Sequence, residues 1–132
     1  MTDLPQYALE TAQKARAASR ALVTISGQQK NAWLTRAAEM ADYWADAVHS
    51  LKGLPHVIDL RNLGLMGAIE LQSRPGAVGA RAFEAHVKAF FDENLMVRYT
   101  GDIIAFSPPL IITKAQIDEI FGRLRRVLET IE

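Results

Sequence analysis

Leu95-Met-Val-Arg-Tyr-Thr-Gly-Asp-Ile-Ile-Ala-Phe-Ser-Pro-Pro-Leu-Ile-Ile-Thr113 is the stretch that decides the fold. Two β-prone runs, Met96 to Tyr99 and Ile103 to Ser107, flank Thr100-Gly101-Asp102, a tight-turn sequence, which predicts a hairpin. The Ser107-Pro108-Pro109 turn then redirects the chain. Thr113 and Gln116 have the spacing of a helix capping box. Ile117, Ile120, Phe121, Leu124, Leu128 and Ile131 follow at helical intervals, so an amphipathic helix closes the chain. Arg98 is the one charged side chain in the first apolar run.

Working back from Leu95, the spacing predicts a helix over 78–93, with Ala82, Phe83, Val87, Phe90 and Phe91 facing inward and Asn94 as its stop. Arg74-Pro-Gly-Ala77 reads as a loop. Two strands precede it, Val57 to Arg61 and Leu65 to Leu71, with the turn at 62–64. Arg61 and Glu70 are placed to pair across them. The half before Pro55 is helical. Asp3, Pro5 and Gln6 start one alanine-rich helix that runs to about Val23. Ser26 and Gln29 cap a second, predicted to run unbroken to Lys52, where Gly53 and Pro55 stop it. Its stripe contains Trp33, Met40, Trp44 and Val48. The fold class is therefore α+β: two N-terminal helices, then ββαββα, a small antiparallel sheet covered by helices.

Composition narrows the function classes. The 132 residues carry fifteen basic and fifteen acidic side chains with no extended basic run, which argues against nucleic acid as a partner. With no cysteine, disulfides, thiolate metal sites and cysteine nucleophiles are excluded. Neither a signal segment nor a membrane-length apolar run is read, so the expectation is a cytoplasmic protein without a membrane partner. His49, His56 and His86 lack ligand spacing and clustered carboxylates, and no metal is expected.

Ala45-Asp-Ala-Val-His-Ser-Leu-Lys-Gly-Leu-Pro-His-Val-Ile-Asp59, Arg61-Asn-Leu-Gly-Leu-Met-Gly-Ala-Ile-Glu70 and the opening stretch occur in the order and spacing of one family. Together they resemble the C-terminal small domain of class III pyridoxal-phosphate aminotransferases, of the ω-amino acid:pyruvate or β-alanine:pyruvate type. The resemblance covers residues 36–132 and implies the small domain of a fold-type I aminotransferase. A second, short resemblance concerns Ala8-Leu-Glu-Thr-Ala-Gln-Lys-Ala-Arg-Ala-Ala-Ser19 and Ser26-Gly-Gln-Gln-Lys-Asn31. These look like the N-terminal helices of γ-glutamyl phosphate reductase. They imply a chimera with a seam between Gln29 and Arg36, hence a helical segment 1–35 and a small domain 36–132.

The resemblance implies that Arg98 meets a substrate carboxylate, for which a guanidinium fork is suited. The alternative is that Arg98 pairs with a nearby acid or lies in solvent. In the intact family the cofactor is pyridoxal phosphate, which needs a Schiff-base lysine, an acid at the pyridine nitrogen and a phosphate cup. None of Lys14, Lys30, Lys52, Lys88 and Lys114 sits in the family's lysine motif. No catalytic residue and no bound cofactor are therefore expected. The expected function is a non-catalytic folded fragment that self-associates as a homodimer, with Trp33, Met40, Trp44 and Val48 as its interface. The alternative is a carboxylate- or cofactor-binding remnant, or a subunit that contributes to amine-to-pyruvate transamination only with another chain.

Overall fold

The computed structural model describes residues 3–132, which divide into an N-terminal unit ending at Trp33 and a second unit, Leu34–Glu132. Among the described residues there are five helices and four strands. Helix α1 is Leu4–Val23; Asp3 accepts from the Gln6 backbone N–H, with Pro5 in the first turn, as the capping pattern predicts. No residue of α1 is buried. Helix α2, Gly27–Glu39, opens on the predicted capping box: Ser26 Oγ accepts from Gln29 N–H at 3.2 Å, and Gln29 Oε1 accepts from Ser26 N–H at 2.9 Å.

The single long helix predicted over Ser26 to Lys52 is interrupted at Met40. Helix α3 is Ala41–His49. Met40 keeps helical dihedrals and its N–H still reaches the Arg36 carbonyl at 3.2 Å, so the interruption is local. The predicted strands appear as β1, Val57–Leu63, and β2, Met66–Leu71, joined by a two-residue loop rather than by a turn at 62–64. Helix α4 is Ala80–Phe91, strands β3 and β4 are Arg98–Thr100 and Ile103–Phe106, and helix α5 is Lys114–Leu128. All strand pairings are antiparallel, in the order β1-β2-β4-β3. The α+β class and the ββαββα order are as the sequence predicts.

The core of the second unit is built from alternation. Ile69 and Leu71 on β2 and Ile104 on β4 are fully buried, and β2 residues two apart share a face. Trp44, Val48 and Leu51 bring α3 and its following turn onto that face; Ile117, Phe121, Leu124 and Leu128 bring α5. Trp44 is its largest fully buried side chain, edge-on to Phe121 at 5.1 Å and to Phe106 at 6.2 Å. Gly67 on β2 makes this approach possible, because a Cβ there would stand 3.2 Å from both Trp44 Nε1 and Val48 Cγ2. Gly67→Val inserts three carbons into that contact. We expect a loss of about 1–3 kcal/mol, read as a lower urea midpoint with unchanged slope.

The inward face of α4 differs from the expectation. Ala82, Ala85 and Ala89 are buried, whereas Phe83, Phe90 and Phe91 are exposed, Phe91 at 73%. Small side chains let the helix axis lie close to the sheet, and the aromatic side of the helix is left outward. Arg81, also buried, donates through Nε to the Glu132 carbonyl at 2.8 Å and through Nη1 to the Gln72 carbonyl. Glu93, beyond the C-terminus of α4, accepts from Arg126 of α5 at 2.9 and 2.5 Å.

Candidate functional site

Arg98 opens β3, the edge strand of the sheet. It stands opposite Ala105, and Tyr99 opposite Ile104. Ile104 faces the helices, so Tyr99 shares that side and Arg98 takes the other. Arg98 is exposed and, among the described residues, has no hydrogen bond or ion pair to an acid. It lies on the wall of a cleft of about 770 Å³ whose other walls include Leu95, Met96, Phe106, Pro108, Ile111 and Ile120. An unpartnered cation beside apolar walls suits an anion with an apolar body.

The hairpin that carries Arg98 is tied to α4 through the turn that the sequence placed at Thr100-Gly101-Asp102. Asp102 is buried and reaches back to the start of α4: Oδ2 accepts from Gly79 N–H at 2.7 Å, and Oδ1 from Arg81 and Ala82 N–H at 3.2 Å each. Gly79, at φ 86°, sits in the left-handed region and has no side chain to cap the helix itself, so Asp102 does it from the hairpin. Burial pushes the Asp102 carboxyl pKa up, but hydrogen bonds from Gly79 N–H, the Ser73 hydroxyl, and Ala82 and Arg81 N–H outweigh it. The net result is a pKa below the ordinary value.

A depressed folded-state pKa contributes stability above the unfolded value of 3.8, and that contribution is lost as pH falls through the lower folded value. Asp102→Asn turns an acceptor into a donor facing backbone N–H groups. We expect it to cost about 1–3 kcal/mol at neutral pH. In urea titrations the difference between wild type and variant narrows below about pH 4.

His86, on α4, also lines the cleft. Its Nδ1 stands 2.7 Å from the Val97 carbonyl oxygen, which can only accept, so Nδ1 carries the proton. The ring lies 5.1 Å from that of Tyr99. Neither His86 nor Asp102 was read from the sequence as part of a site. His49 contacts Asn62 at 3.0 Å, and no group of three or more potential metal ligands occurs among the described residues.

The sequence profile described as Aminotransferase class-III matches residues 13–128. The chain belongs to this family. It is 47% identical over 116 residues to an omega-aminotransferase of Caulobacter vibrioides, covering 88% of this chain and 26% of that protein. It is 33% identical over 115 residues to an omega-amino acid–pyruvate aminotransferase of Pseudomonas putida, covering 87% of this chain and 25% of the relative. A thermostable omega transaminase from Pseudomonas jessenii superposes with a TM-score of 0.69 at 25% identity, over 76% of this chain and 24% of that one. The chain thus spans about a quarter of the length of these relatives.

The class III match starts at residue 13 and runs through Gln29 to Arg36. Residues 13–35 are thus included in the aminotransferase match. The proposed interface also changes. Trp44 and Val48 are fully buried and Met40 nearly so, all in the chain's own core, and only Trp33 is exposed, at 39%. A stripe that packs inside one chain is not free for a second.

The fit of pyridoxal phosphate to the chain's own residues is tested by its lysines. None lines the cleft. Lys88 donates to the Thr130 carbonyl at 3.0 Å, and Lys114 lies 4.8 Å over the Tyr43 ring. Lys14, Lys30 and Lys52 are exposed on or just after the N-terminal helices.

Proposed function

We propose that this chain supplies the carboxylate-holding wall of a class III aminotransferase site and performs no transamination alone. Arg98 carries the reading: an exposed guanidinium without an acid partner, on an apolar cleft, at the position where the family resemblance places the carboxylate-binding arginine. The ligand class is a carboxylate with an apolar body. Arg98 holds the carboxylate through paired N–H donors while Met96 and Ile111, which line the same cleft, cover the rest. Pyridoxal phosphate supplies the electron sink for amino-group chemistry, and its lysine belongs to the part of the enzyme this chain does not span. In a mixture of the chain with pyridoxal phosphate, an amine donor and pyruvate, we expect no alanine. A visible Schiff-base band that disappears on adding donor would overturn the proposal.

Self-association as a homodimer is a second reading, favoured by one observation. Phe90 and Phe91 pack edge-on at 5.0 Å on the exposed side of α4. A bare aromatic pair of this kind favours burial against a second surface. The interface in this reading is α4, in place of the Trp33, Met40, Trp44 and Val48 stripe. Light scattering after size exclusion is expected to give a dimer that Phe91→Glu converts to monomer. A monomer at high concentration in the wild type contradicts this reading.

A further inference from the structure

We propose that His86 is a positioning residue for Arg98, fixing the backbone on both sides of the arginine. This rests on the reading of Arg98 as the carboxylate-holding group and extends it to the residue that sets where that group stands. The need for such a device follows from topology. β3 is three residues long, lies at the sheet edge and is hydrogen-bonded only to β4 within the sheet. Short edge strands are weakly held by backbone pairing alone.

His86 meets that strand twice. Its Nδ1–H donates to the carbonyl of Val97, the residue before Arg98, at 2.7 Å. Its ring lies against Tyr99, the residue after, at 5.1 Å, and Phe83 reaches the same Tyr99 ring at 5.7 Å. The arginine backbone is therefore gripped from α4 at the preceding carbonyl and at the following side chain. α4 is itself tied to the hairpin by Asp102 on its first turn. Helix, turn and strand thus fix the backbone from which the Arg98 side chain projects on the opposite face of the sheet. Positioning of this kind lowers the ordering cost of binding a carboxylate.

The two contacts separate by substitution. Asn places an amide N–H near the position of Nδ1 but has no ring; Phe keeps a ring against Tyr99 but has no donor. With the full 132-residue chain labelled for NMR, His86→Phe is expected to shift and broaden the Arg98 and Tyr99 backbone amides while α5 amides stay in place. It is also expected to weaken 4-phenylbutyrate binding roughly three- to tenfold. His86→Asn, which keeps the donor and loses the ring, is expected to restore the Arg98 amide and most of the binding while the Tyr99 amide stays shifted. If His86→Phe does not fold, His86→Gln, whose amide stands nearer the position of Nε2, takes its place.

Unchanged Arg98 and Tyr99 amides in His86→Phe would overturn the proposal. So would a His86→Asn variant as perturbed as His86→Phe. If the wild-type chain binds no carboxylate, the reading of Arg98 fails, and the amide comparison alone decides the role of His86.

Discussion

Trp44→Ala is expected to cost about 3–5 kcal/mol, the range for deleting a large buried aromatic. The whole stability of an ordinary domain is about 5–15 kcal/mol, so the variant stands near the edge of folding. The cost has three sources. The indole is fully buried. It makes edge contacts with Phe106 and Phe121, one on β4 and one on α5, so its loss opens a cavity where α3, the sheet and α5 meet. The surroundings relax only partly into the space left, as is usual for a large-to-small change in a packed core. Urea unfolding followed by far-ultraviolet circular dichroism measures this. Trp33→Ala, at a half-exposed position, is expected to cost about 1 kcal/mol or less. Equal losses at the two tryptophans would contradict the packing described.

That contrast marks how far the sequence was legible. Helical periodicity put Trp33 and Trp44 on one stripe, yet periodicity does not say where a helix is interrupted, and the interruption at Met40 divides the stripe. The closing helix was legible because the Thr113–Gln116 box and the Ile117 to Leu128 spacing agree on one face; Ile131, read as part of the same stripe, lies beyond its end. On α4 two stripes competed, Ala82-Ala85-Ala89 and Phe83-Val87-Phe90. Hydrophobicity favours the second, whereas close packing onto a sheet takes the first. No local pattern carries that choice, since it depends on how near the sheet lies.

At the site, Arg98 was legible through the family resemblance; as a lone charge in an apolar strand it reads as readily as an ion-paired or solvent-exposed residue. Asp102 was legible as a turn residue and no more. Its capping of a helix about twenty positions earlier is a contact between segments. His86 likewise acts on a carbonyl eleven positions away, across the turn from α4 to β3.

The second large effect concerns Arg98. Arg98→Leu keeps an apolar stem on an exposed edge position, so stability is expected to move by no more than about 0.5 kcal/mol. Carboxylate binding is expected to collapse. A charge-assisted hydrogen bond contributes about 1.5–3 kcal/mol, so loss of one bond alone weakens binding about tenfold or more. Lys at this position keeps the charge but not the planar fork and is expected to recover only part of the affinity.

Calorimetric titration of the chain and of Arg98→Leu with 4-phenylbutyrate, with 4-phenylbutanol as the uncharged control, tests the central claim most directly. The account predicts saturable binding of the carboxylate to the wild type, loss of about tenfold or more in the variant, and no difference between the two proteins for the alcohol. Equal carboxylate affinity in both proteins would contradict it.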